Sequence, residues 1–165
     1  MDAPLIITLK LDDETQFFFN RLRQEHFPKH VNYLEAHCTL FHKLPASEPI
    51  IRNTLAALSQ RPAFSMKVAA VKNIGNGVVY TIESGELGAL HKSLQESFAA
   101  WLTNQDRQTL NPHITIQNKV TAFKALTLYE QLKESFVQFD IKAVGISTFL
   151  YLNGPWQHVE DFTFK

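Results

Sequence analysis

The sequence has a single cysteine, Cys38, among its 165 residues. That excludes an internal disulfide framework and any zinc site built from several cysteines, and it fits a reducing cytoplasm. Glycine and proline are scarce, at 6 and 7 residues, too few for a collagen or a flexible linker protein. There is no surplus of either charge: 16 Lys and Arg balance 16 Asp and Glu. Proteins that grip long nucleic acid generally carry a basic excess, because phosphate neutralisation supplies most of their affinity, so any anion here must be met by a local pocket. No apolar run approaches the ~18 residues a membrane helix needs. The opening MDAPLIITLK has no basic segment ahead of its apolar stretch and reads as a first strand rather than a signal peptide. What is abundant is aromatic: 13 Phe, 4 Tyr and 2 Trp, far too many for a disordered tail. A chain of this size and composition buries enough apolar surface to fold as one domain without a staple.

Periodicity predicts a mixed chain. Strands are expected at 4–10, 36–44, 63–72, 78–83 and 113–120. Helices are expected at 12–25, 48–60, 86–102 and 121–135, and two or three more strands over 136–164. Asp12 or Asp13, Ser47 and Thr121 are the expected helix caps, and Pro49 sits early in its helix, where proline is tolerated. Asn76-Gly77 between two β-rich runs predicts a hairpin turn. Helices and hairpins mixed in this way favour α+β over a doubly wound parallel sheet.

Two of the expected strands echo each other. His37-Cys38-Thr39-Leu40-Phe41-His42-Lys43-Leu44 and His113-Ile114-Thr115-Ile116-Gln117-Asn118-Lys119-Val120 share His, Thr and Lys at the same offsets, with apolar residues between. Alternation in a strand would put His37, Thr39, Phe41 and Lys43 on one face, and His113, Thr115, Gln117 and Lys119 on one face of the other. The opposite faces, Cys38, Leu40 and Leu44, and Ile114, Ile116 and Val120, are core-like. A single His-x-Thr is an ordinary strand sequence; two, each between helices, suggest lobes related by a pseudo-twofold axis with the pairs facing across a groove. Two imidazoles can then serve as acid and base near neutral pH, and two hydroxyls can donate to a phosphoryl oxygen. Lys43 and Lys119 would add positive charge, Phe41 could stack on a base, and Gln117 shares the same face. Tyr80, Tyr151 and Trp156 are further stacking candidates. His26 and His30 have metal-ligand spacing, but Pro28 separates them and no third ligand is evident; no metal is expected. His42, on the opposite face from His37, reads as structural, His158 has no evident partner, and Cys38 reads as a small buried hydrophobe.

The paired motifs, His37-Cys38-Thr39-Leu40 and His113-Ile114-Thr115-Ile116, in the contexts AHCTLFHKLP and NPHITIQNKV, resemble the two-histidine phosphoesterase superfamily. They look most like its bacterial 2'-5' RNA ligase and cyclic phosphodiesterase branch. The resemblance covers most of the chain. It implies an α+β fold over 1–165 as a single domain, two similar lobes of antiparallel sheet with outer helices around a central cleft. It implies His37, Thr39, His113 and Thr115 as the catalytic set, with His37 as acid and His113 as the base that activates water, and no metal or cofactor. The implied reaction is hydrolysis of 2',3'-cyclic phosphates at RNA ends or on small nucleotides to 2'-phosphates. Some relatives also join RNA ends through a 2'-5' bond without ATP. A cleft that binds phosphorylated RNA ends without turnover is the reading from another class. A cytoplasmic monomer with no membrane partner is expected.

Overall fold

The computed structural model describes residues 2–165. Strand β1 (Leu5–Leu11) runs into helix α1 (Asp13–His26) through Asp12. The Asp12 carboxylate accepts from the Thr15 backbone N–H at 3.3 Å and the Thr15 hydroxyl at 2.6 Å, filling donors that a helix start leaves open. A single 3-10 turn (Lys29–Val31) leads to β2 (Cys38–Leu44) and then α2 (Pro49–Leu58). Glu48, rather than Ser47, is the residue that caps α2, and it does so without a side-chain bond; Pro49 takes the first helical position.

Strands β3 (Phe64–Asn73) and β4 (Val78–Glu83) form the expected hairpin. Its loop has four residues, closed by the Ile74 N–H on the Gly77 carbonyl at 3.0 Å, and its left-handed residue is Gly75 (φ +95°) rather than the Asn-Gly pair. Gly77 is needed for another reason: a Cβ there would meet the Gln117 carbonyl oxygen of the next strand at 2.0 Å. Helix α3 (Gly85–Ser97), capped by Ser84, is followed by β5 (His113–Gln117) and α4 (Ala122–Ser135), capped by Thr121. The long strand β6 (Phe139–Tyr151) and β7 (Trp156–Thr163) complete the chain.

All strand pairs are antiparallel, in the order β2-β1-β6-β3-β4-β5. The N-terminal end of β6 (Phe139–Ala143) pairs β3, while its remainder (Gly145–Tyr151) pairs β7. The order is symmetric about its centre. The unit β1-α1-β2-α2 is matched by β4-α3-β5-α4, so the two motif strands are the two ends of that path. The sheet curls until those ends meet: β2 lies against β5, and α1 packs on β5. This is the two-lobed α+β fold with four helices. One core runs through both lobes, with Phe19, Phe41, Phe98, Leu40 and Ile114 fully buried. Among the described residues no helix is long and apolar enough to cross a membrane.

Candidate active site

His37 immediately precedes β2 and His113 is the first residue of β5, so each ring stands where its strand enters the sheet. They are held in the same way. The His37 Nδ1 lies 2.8 Å from the Glu35 carbonyl oxygen, and the His113 Nδ1 lies 2.8 Å from the Asn111 carbonyl oxygen, two residues upstream in each case. A carbonyl only accepts, so each Nδ1 carries the proton and donates. Each Nε2 is left as the acceptor of a neutral ring, and neither has a protein partner among the described residues. Thr39 and Thr115 follow at the same offset, half-buried, and neither hydroxyl has a partner among the described residues.

The resemblance between the motifs extends to a defect. Thr8 pairs Thr39 and Ile7 pairs Phe41, which leaves Leu40 without a partner. Val79 pairs Thr115 and Val78 pairs Gln117, which leaves Ile116 without one. Both strands therefore carry a β-bulge directly after the threonine. A bulge breaks alternation and sends consecutive side chains to one side. Leu40 and Phe41 are both in the core, as are Ile116 and Gln117.

The expectation that Phe41 and Gln117 face the cleft is thereby corrected. Phe41 stacks on the buried His91 ring (centroids 4.7 Å, 17° between planes) and meets Phe98 edge-on. Gln117 is 6% exposed, and its amide oxygen has no hydrogen-bond partner. Lys43 is exposed in a separate hollow with Trp101 and Leu152. Its backbone N–H, like that of His42, is held by the buried Asp106 carboxylate. Lys119 is not on a strand, because β5 ends at Gln117 and Lys119 adopts a left-handed turn (φ 60°). Strand regularity, on which both lysine expectations depended, does not reach them.

One residue beside the paired motifs escaped the sequence reading. Arg23 of α1 is 3% exposed and has no carboxylate partner among the described residues. Its Nη1 donates to the Thr115 carbonyl at 2.9 Å and its Nε to Asn32 Oδ1 at 3.2 Å, with Phe27 beneath the guanidinium at 4.0 Å. Burial pushes its pKa down to about 10, so it stays charged at neutral pH. It ties the first lobe's helix to the second motif strand and supplies fixed positive charge beside the cleft. The available signal was spacing: Thr15, Phe19 and Arg23 lie four apart, on the stripe that α1 buries.

Burial pushes the pKa of His37 down to about 4, against the opposing Glu35 carbonyl bond, and the charges of Arg23, His113 and His42 push it the same way. His37 is uncharged at neutral pH and sits in a positive setting, suited to an anion. Cys38, between the motifs, is fully buried and its thiol is pushed up to about 12 by that burial, so it is no nucleophile.

Of the aromatic candidates, Trp156 stands against His37 (ring centroids 4.6 Å apart). Tyr80 is buried against Phe19 and Phe136, and Tyr151 is exposed beyond the cleft. His42 pairs with Asp106, and His158 has a partner after all, Asp161 at 2.8 Å. Among the described residues no group of three or more His, Cys, Asp or Glu is placed to hold a metal ion, His26 and His30 included.

The family model of the 2'-5' RNA ligase superfamily matches residues 11–149 of the chain. Several solved structures share the fold along their whole length. A protein described as a phosphoesterase is 14% identical, with 100% of this chain and 99% of that one covered and a TM-score of 0.61. TT0787 of Thermus thermophilus is 14% identical over 98% and 97%, with a TM-score of 0.68. E. coli LigT, crystallised with 3'-AMP, is 14% identical over 100% and 99%, with a TM-score of 0.58. At such identity these likenesses establish the architecture alone. No curated protein matches the chain by sequence.

Proposed function

Since the chain belongs to the 2'-5' RNA ligase superfamily, whose members act on phosphoesters, we propose that it opens 2',3'-cyclic phosphates, on RNA ends or small nucleotides, to 2'-phosphates. The observation that carries this reading is the matched pair of imidazoles. Each is pinned through Nδ1 to the carbonyl two residues upstream, each keeps Nε2 free, and each is followed by an unbonded threonine hydroxyl.

In the proposed step, water attacks phosphorus in line with the bond to the ribose 3' oxygen. One Nε2 takes the proton from water, and the other ring gives its proton to the 3' oxygen as the P–O bond breaks. The hydroxyls of Thr39 and Thr115 donate to the non-bridging oxygens, and the nearby charge of Arg23 favours the dianionic transition state. The reaction needs one proton shared between two rings. In the free protein burial keeps His37 neutral, so the proton it donates must be taken up with the substrate. A phosphate bound between the rings brings negative charge to His37 and raises its affinity for a proton, which is the form it needs to act as the acid. With a 5'-hydroxyl in place of water the same residues would form a 2'-5' linkage.

The test is product identity. Purified protein with 2',3'-cyclic GMP in excess EDTA should yield the 2'-phosphate by chromatography. Production of the 3'-phosphate, or no product from any cyclic nucleotide or RNA end, would overturn the assignment. Binding of the phosphorylated end without turnover would put the non-catalytic reading in its place.

A further inference from the structure

A hollow of about 470 Å³ opens beside His37, between the loop 33–37 and the face of β1, β6 and β7. Its volume lies within the range of small-ligand sites, roughly 300–1,000 Å³. One wall is aromatic. Trp156 is wedged between His37 and Phe149 (ring centroids 4.6 and 5.5 Å), so its position is fixed from two sides. Tyr33 belongs to the same lining, 54% exposed. Its hydroxyl lies against the β6–β7 turn: a Cβ on Gly154 would sit 3.3 Å from it.

The polar groups of this hollow are mostly acceptors. Its one lysine, Lys10, is engaged by Asp161 at 3.2 Å, and Asp161 is also taken by the Ser147 hydroxyl at 2.6 Å and His158 at 2.8 Å, so Asp13 and Glu35 are the carboxylates left open. The Gln16 amide nitrogen is occupied by Asn20 Oδ1 and the Ala36 carbonyl, at 2.9 and 2.7 Å, which leaves its oxygen. Such a lining repels a second phosphate and welcomes N–H donors. The hollow beside His113 is different: Lys72, Ile74, Val79 and Pro112 line it with His113 itself, and its lining has no Phe, Tyr or Trp and no carboxylate.

We infer that the hollow beside His37 is the nucleoside subsite, with Trp156 and Tyr33 flanking the base and the carboxylate rim selecting bases that carry an amino group over uracil. The inference rests on the phosphoesterase reading, since the nucleoside is the one whose phosphate lies at the histidines. Guanine fits best in chemical terms, because its N1–H and N2 amine lie side by side for a carboxylate. Adenine and cytosine offer one amine, whereas uracil offers two carbonyls and a lone N–H. The polarity of the site follows: the nucleoside lies on the His37 side, and the hollow at His113 receives water or an incoming hydroxyl.

The experiment measures kcat/KM for the 2',3'-cyclic phosphates of guanosine, adenosine, cytidine and uridine, and for the abasic analogue 1-O-methylribose 2',3'-cyclic phosphate. Wild type should favour the amino-bearing bases over uridine. Trp156→Ala should lower the ratio of cyclic GMP to abasic substrate roughly tenfold or more, the scale of one lost base–aromatic stack. If Trp156 only supported His37, both substrates would suffer alike and the ratio would hold, which overturns the subsite. Glu35→Gln, which keeps the carbonyl that orients His37, should lower the guanosine-to-uridine ratio. A wild-type preference for uridine would also overturn the inference. Tyr33→Ala, at an exposed ring, repeats the ratio test should Trp156→Ala fail to fold. Guanosine binding by calorimetry needs no turnover. Binding that Trp156→Ala weakens, in a protein that hydrolyses nothing, would sink the reaction and keep the subsite; absence of guanosine binding would sink the subsite.

Discussion

Acidifying the protein tests the environment of His37 directly. Its pKa falls from 6.5 in the unfolded chain to about 4 in the folded one, chiefly through burial. The unfolded chain therefore takes up a proton that the folded chain refuses. The stability held by a neutral His37 is complete above pH ~6.5, declines as the pH falls toward 4, and changes no further below that. At about 1.4 kcal/mol for each pH unit between the two values, the ceiling is ~3 kcal/mol. The ring is partly exposed, and solvent screening reduces the expectation to roughly 1–2 kcal/mol. Other groups titrate over an overlapping range. Asp12 and Asp106 are held below the usual carboxylate range, and Asp161 at about 2, so their contributions are lost as pH falls through and below that range. The comparison is accordingly between wild type and His37→Asn, by urea unfolding at pH 7.5 and pH 4.5. Wild type should lose roughly 1–2 kcal/mol more than the variant across that interval, a difference of about 0.5–1 M in midpoint for an m value near 2 kcal/mol/M. Equal losses in the two proteins, or a His37 proton resonance titrating above pH 6, would refute the reasoning.

The same environment shapes the rate. The pH profile of kcat/KM should be bell-shaped, with its acid limb near pH 4, where the pair takes on a second proton; an acid limb above pH 6 would contradict a depressed His37. Gln117 buries an amide oxygen with no partner, so Gln117→Met should hold or raise stability, by up to about 1 kcal/mol, with kcat/KM within twofold of wild type. A large loss of activity would return Gln117 to the cleft. Phe41→Ala should destabilise by about 3–5 kcal/mol, as for other fully buried phenylalanines, measured by urea unfolding; a loss of substrate affinity at unchanged stability would mean that it does face the substrate.

The element order was legible because burial on one face leaves a period in the sequence. The strands at Leu5–Leu11 and Val78–Glu83 and the capped helices at Asp13 and Ala122 follow from that period and from Asp12 and Thr121. Periodicity reports burial rather than backbone, however. Phe98 and Leu102 continue the apolar spacing of α3 and are buried, yet the helix ends at Ser97 and the chain reaches them through turns. The motif echo was equally legible. What alternation could not show is where the ladder skips a residue. The bulges at Leu40 and Ile116 are set by the partner strands β1 and β4, so the sides taken by Phe41, Gln117, Lys43 and Lys119 depend on contacts far away in sequence. Arg23 was hidden for a related reason. A guanidinium on a buried helix stripe looks like a surface residue until the Thr115 carbonyl, from the other lobe, is placed beside it.

The central claim is that His37 and His113 act together on one phosphate. The most direct measurement is kcat on a 2',3'-cyclic nucleotide for His37→Ala, His113→Ala and the double variant. General acid and base catalysis contributes about 10²–10⁴-fold, and residues that work as a unit are far from additive. Each single variant should lose at least about 100-fold, with the double variant close to the weaker single. Either single variant staying within threefold of wild type would contradict the account.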